Sequence, residues 1–85
     1  MIISFSSHAW SDYLEWQRTD KQILKKINSL IKDIEKNPFS GIGKPEPLKH
    51  NLAGFWSRRI TDEHRLVYEI DGDIISIASC RYHYE

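Results

Sequence analysis

The chain has 85 residues, 40% hydrophobic and 28% charged, as expected for one small globular domain and not for a disordered segment. Twelve Lys and Arg balance twelve Asp and Glu, so binding naked nucleic acid by net charge alone is excluded, while a local basic patch stays open. There is no apolar run of about 18 residues to span a membrane and no signal-peptide pattern, and the single Cys80 forms no internal disulfide, which together predict a cytoplasmic protein. CxxC, HExxH, GxGxxG and P-loop patterns are absent, so no metal and no cofactor is expected.

Met1 to Phe5 is short and apolar and predicts a strand. Ser6 or Ser7 then offers an N-cap for a first helix. Trp10, Tyr13, Leu14 and Gln17 fall at i, i+3, i+4 and i+7, a stripe expected to pack in the core, with Trp16 off it. Thr19 to Gln22 has the spacing of a capping box. Behind it, Ile23, Leu24, Ile27, Leu30, Ile31 and Ile34 recur with the period of an amphipathic helix. Its other face, with Lys25, Lys26, Lys32, Asp33, Glu35 and Lys36, reads as solvated, a grip on RNA phosphates being the alternative. Asn37-Pro38 stops the helix.

Phe39 to Gly54 carries Gly41, Gly43, Pro45 and Pro47 and reads as a long loop of the kind that carries function. Phe55 to Ile60 and Arg65 to Ile70 predict strands, Asp71-Gly72 a tight hairpin turn, and Asp73 to about Tyr84 the return strand. The order β-α-α-β-β-β predicts a single α+β domain over residues 1–85. Its sheet is expected to be four-stranded and mainly antiparallel, with two helices packed on one face.

The opposite face is where polar residues gather. Alternation puts Arg65, Val67 and Glu69 on one side of their strand, and Ser79, Arg81 and His83 on one side of theirs. With the Pro/Gly loop alongside, Glu46, Lys49, Arg59, Arg65 and His83 can converge. A carboxylate serves as a general base, an imidazole as a general acid, and guanidinium and ammonium groups hold a phosphate. No activated nucleophile is visible, and nothing suggests that Cys80 is a thiolate. The set suits RNA cleavage by the substrate's own 2′-hydroxyl, but residue types alone favour a protein- or nucleic-acid-binding module over a phosphodiesterase. His8 reads as a helix-start residue and His64 as a structural or positioning residue in a turn. Trp56 is placed in the core or at a dimer contact.

Two blocks narrow the reading: the run from Lys44-Pro-Glu-Pro-Leu-Lys-His50 through Trp56-Ser-Arg-Arg59 to His64-Arg-Leu-Val-Tyr68, and the ending Cys80-Arg-Tyr-His-Tyr84. Together with Trp10, Asp12-Tyr13, Trp16-Gln17 and the Asp20 to Asp33 helix, they resemble the YoeB branch of the RelE/ParE toxin superfamily over essentially the whole chain. The resemblance implies a RelE-like, microbial-ribonuclease-like fold and the toxin of a toxin–antitoxin pair. It also implies a ribosome-dependent endoribonuclease that cuts mRNA at the A-site codon. A YefM-type antitoxin, the ribosome with mRNA in its A site and a second copy of the chain are the implied partners. Carried over by motif, Glu46 is the general base, Arg65 stabilises the transition state, His83 is the general acid and Tyr84 positions substrate. Lys49 and Arg59 match phosphate-holding positions, with His50 and Arg81 as further RNA contacts. A non-nucleolytic toxin that binds the ribosome or another protein is the alternative.

Two features depart from the family pattern. Glu85 follows the terminal tyrosine and puts a carboxylate beside His83 and Tyr84. The chain is also neutral where many relatives are basic, although Lys44, Lys49, Arg58, Arg59 and Arg65 outnumber Glu46, Asp62 and Glu63 in the central window.

Overall fold

The computed structural model describes residues 1–82. Strand β1 (Ile2–Phe5) leads into helices α1 (Ser7–Thr19) and α2 (Lys21–Lys36). A loop then reaches β2 (Glu46–Pro47), a single 3-10 turn (His50–Leu52), β3 (Trp56–Arg59), β4 (Arg65–Asp71) and β5 (Ile74–Ser79). The sheet order is β1-β5-β4-β3-β2, with β1 parallel to β5 and the other neighbours antiparallel.

Helix α2 follows its apolar spacing: Ile27, Leu30, Ile31 and Ile34 are buried against the sheet. Each such side chain contributes about 1.5–3 kcal/mol. The cap differs from expectation. Asp20, not Thr19, is the N-cap, and its carboxylate accepts from Gln22 N and Ile23 N. Thr19 instead donates its hydroxyl back to the Glu15 carbonyl.

Helix α1 buries a different stripe from the expected one. Trp10 and Leu14 are 47% and 45% exposed, while Ala9, Asp12 and Trp16 face inward. The reason lies on the sheet side. The residue after β5 passes so close to α1 that Cys80 Sγ lies 3.7 Å from the Ala9 carbonyl, and its N–H needs the Asp12 carboxylate. A small residue and an acceptor therefore occupy the inner face. Trp10 stacks on Tyr13 and meets Phe5 edge-on along the groove between β1 and the helices.

The sheet has five strands, not four, because Glu46 and Pro47 pair with Ser57 and Trp56 at the edge. An edge strand tolerates proline, whose missing N–H is not needed on the outer side. The return strand ends at Ser79, earlier than expected. Register slips where Val67 faces Ser79 but Tyr68 faces Ile77, so Ala78 is an extra residue in β5. The carbonyl of Ala78 accepts the hydroxyl of Ser6, the N-cap of α1.

Candidate active site

The side of the sheet away from the helices is built in rows. Glu46 on β2 faces Ser57 on β3, which faces Val67 on β4. Two residues further along β3, Arg59 faces Arg65. Val67 is 1% exposed yet outside the hydrophobic core, so it forms the floor of this second face. Two strand spacings of about 4.8 Å and two residues of about 3.4 Å put the Glu46 and Arg65 backbones roughly 12 Å apart. Their side chains can reach opposite sides of one phosphodiester.

The loop carrying Glu46 is fixed from behind. Arg58, next to Arg59 but on the core side, is fully buried. Its five hydrogen bonds match its five N–H donors. Nε reaches Tyr68 Oη at 3.1 Å; Nη1 reaches Asp33 Oδ2 at 2.6 Å and Ile42 O at 3.1 Å; Nη2 donates to Ser40 O at 2.9 Å and to Asn37 O. Tyr68 adds its hydroxyl to Pro38 O at 2.7 Å. Four carbonyls of one loop are thus held by two side chains. Asp33, read from sequence as solvated, also accepts from Ile42 N–H, and the Arg58 hydrogen bond holds its carboxyl below the usual range. Burial pushes the Tyr68 hydroxyl up. Gly41 is obligatory here: its φ is +116°, and a Cβ would collide with the Asp33 carboxylate.

Lys44 in the loop, His50 in the 3-10 turn and Tyr82 after β5 take positive φ of 51°, 60° and 59°, a conformation that residues other than glycine adopt only where surrounding contacts hold them.

Arg65 is half-buried, and its Nη1 is anchored on its own turn by Thr61 O at 2.6 Å, Asp62 O at 2.9 Å and His64 O at 3.1 Å. No acceptor among the described residues takes the Nε and Nη2 edge, the fork that matches a phosphate. Arg59 is exposed directly opposite. Like charges facing across strands destabilise a sheet by about 0.2–1 kcal/mol, and an anion between them removes that cost.

The segment after β5 is gripped on every polar backbone group of Cys80 and Tyr82. Cys80 N–H donates to Asp12 Oδ2 at 3.1 Å, and Cys80 O accepts from Trp16 Nε1 at 2.8 Å. Tyr82 N–H donates to His64 Nδ1 at 2.8 Å, and Tyr82 O accepts from Arg65 N–H at 2.8 Å. Arg81 lies with its guanidinium 5.6 Å from the Trp16 ring and 5.0 Å from the Tyr82 ring. Burial pushes the Cys80 thiol up to about 12, so it is protonated at neutral pH and no nucleophile.

The sequence-predicted residues are therefore placed unevenly. Glu46, Arg59 and Arg65 share one face. Lys49 and His50 are exposed at the 3-10 turn that follows Glu46, and Arg81 sits at the α1 edge. His83, Tyr84 and Glu85 lie outside the described residues. No group of three or more His, Cys, Asp or Glu among the described residues is placed to hold a metal ion. Asp12, Trp16, Asp33, Arg58 and Tyr68 are the supports that sequence reasoning missed. Arg58 carried one signal: alternation with Arg59 puts a charge on the core side, and a buried charge demands partners.

A protein-family model for the YoeB-like toxin of bacterial type II toxin–antitoxin systems matches residues 5–84. Toxin YoeB of Escherichia coli K12 is 66% identical over 84 residues, covering 99% of this chain and all of that one. A YoeB/ParE toxin structure from Agrobacterium tumefaciens superimposes with a TM-score of 0.97 at 49% identity, over 99% of this chain and all of the other. Staphylococcus aureus structures of a YoeB dimer and of a YoeB–YefM complex superimpose at 0.93 and 0.92, at 55% and 54% identity, each over 99% of this chain and 98% of the other. With its fold and nearly its full length matched in this way, the chain belongs to the YoeB-like toxins of bacterial type II toxin–antitoxin systems.

Proposed function

We propose that this toxin is a ribosome-dependent mRNA endoribonuclease, cutting at the A-site codon by acid–base transesterification. Glu46 takes the proton of the substrate 2′-hydroxyl, and the freed oxygen attacks the adjacent phosphorus. Arg65, with Arg59 and Lys49, balances the charge that builds on the phosphoryl oxygens. His83 gives a proton to the departing 5′-oxygen, leaving a 2′,3′-cyclic phosphate and a 5′-hydroxyl. Tyr84 orients the substrate, and His50 and Arg81 add contacts to RNA. Each acid or base role is typically worth about 100- to 10,000-fold. A YefM-type antitoxin and a second copy of the chain are the proposed partners, as in the Staphylococcus aureus assemblies.

The observation that carries this reading is the Arg59–Arg65 pair, two like charges facing each other on the open face beside the Glu46 row. Such a pair is a standing cost that a bound phosphate relieves. A neutral chain suits a toxin that meets its RNA on a ribosome, where docking does not depend on capturing free RNA.

Primer extension on a defined mRNA in programmed ribosomes, beside a ribosome-free control, tests the proposal. The expected result is a cut confined to the A-site codon and lost in Glu46→Ala and His83→Ala. Arrested translation with no cut would instead establish a toxin that blocks by binding.

A further inference from the structure

We propose that His64 is a positioning residue of this site, holding the segment from Cys80 to Tyr82 through its unprotonated Nδ1 and releasing it when protonated. The inference rests on the reading of His83 and Tyr84 as site residues, since that segment leads directly into them.

A backbone N–H only donates. The ring nitrogen it faces must therefore carry a lone pair, and Tyr82 N–H lies 2.8 Å from His64 Nδ1. The ring proton then sits on Nε2, which is 3.4 Å from Glu63 Oε1. A second proton on Nδ1 would turn this contact into two donors face to face. The ring is confined: it is 8% exposed, packs edge-on against Trp16 with centroids 4.8 Å apart, and lies tilted against Tyr82 at 5.5 Å.

The clamp is also shared. The Arg65 N–H that follows His64 holds Tyr82 O, and the His64 carbonyl receives Arg65 Nη1. One residue thus touches the arginine and the path to the acid together. The charged groups around the ring are Glu63 on its own turn, Arg65 on β4 and Arg81 beyond β5. On α1, whose Trp16 packs against the ring, the acidic side chains Asp12 and Glu15 are tied to Cys80 N–H and to Arg18. The clamp therefore exists only while Nδ1 carries a lone pair and opens when that nitrogen takes up a proton.

The sign separates this effect from the chemistry. A catalytic acid such as His83 loses activity as pH rises. Loss of the His64 clamp instead lowers the rate as pH falls far enough to place a proton on Nδ1. His64→Asn keeps an acceptor oxygen near the Nδ1 position and does not titrate; His64→Ala removes the acceptor.

The test has two readouts on the full chain. The first is kcat and KM for cleavage of ribosome-bound mRNA from pH 5.5 to 8. Wild type is expected to lose activity in acid, and His64→Asn to lack that limb while keeping most of its activity at pH 7.5. His64→Ala is expected to fall about 10- to 100-fold in kcat with KM little changed, the size of a misplacement near 1 Å. The second is the hydrogen-exchange protection of the Tyr82 amide by NMR, which needs no activity. It is expected to drop as the His64 ring takes up its second proton and to stay level in His64→Asn. A Tyr82 amide indifferent to His64 protonation, or an acid limb unchanged in His64→Asn, would overturn the inference. Amide coupling in a protein that cuts no RNA would uphold the clamp and sink the nuclease reading alone.

Discussion

The loop that carries Glu46 hangs on a guanidinium, whereas the segment that leads to His83 hangs on an indole, a carboxylate and an imidazole. The difference follows from what each piece of backbone offers. The loop curls around a single point and turns its carbonyls inward, so one cation with five donors serves it. The segment from Cys80 to Tyr82 presents N–H and C=O groups in turn, so it needs acceptors from Asp12 and His64 and donors from Trp16 and Arg65. The first anchor only donates. The second contains a ring nitrogen that holds Tyr82 N–H only while it carries no proton.

The largest expected effect of breaking this pairing is at Arg58. Arg58→Ala leaves Asp33, Tyr68 and three loop carbonyls without their donor, and it is expected to cost about 3–5 kcal/mol. Urea unfolding measures it, and a loss below about 1 kcal/mol would mean that the loop is held by something else. Trp16→Phe comes next. It keeps an aromatic ring against His64 but strips the donor from the buried Cys80 carbonyl, for an expected loss of about 1–3 kcal/mol in the same experiment.

The smallest effect is on the pH dependence of stability. Arg58 holds the Asp33 carboxyl below the ordinary value of about 3.9, so the folded chain takes up that proton less readily than the unfolded one. The contribution is fully present above that value and lost as pH falls through the lower folded one. Asp33→Asn is expected to flatten this acid limb, read as the urea midpoint between about pH 5 and pH 2. The effect is modest because the side chain is still 20% exposed.

What the amino-acid sequence revealed divides along the same line. Helix α2 was legible because four of its apolar side chains meet the sheet at one period, and β4 because Leu66, Tyr68 and Ile70 alternate with Arg65, Val67 and Glu69. Placing Glu46, Arg59 and Arg65 together was legible from alternation and from family motifs. The supports were not. Asp33 lies on the polar side of α2, and only the folded chain brings Arg58, 25 positions later, against it. Asp12 and Ala9 break the apolar stripe of α1 because their partner is Cys80, from the opposite end of the described chain. Periodicity reports which face is buried against grease; it is silent about a face buried against backbone.

Strand β5 comes last among the described strands yet sits between β1 and β4 in the sheet. Ser6 and Ala78, joined by a hydrogen bond, are 72 positions apart. The helix pair and the β4–β5 hairpin close over short loops, whereas docking β1 must gather nearly the whole chain and is slow for that reason. Until it docks, β5 is a bare edge with three isoleucines in six residues, open to another chain. An undocked first strand would leave that edge open to neighbouring chains, so refolding yield is expected to fall as protein concentration rises.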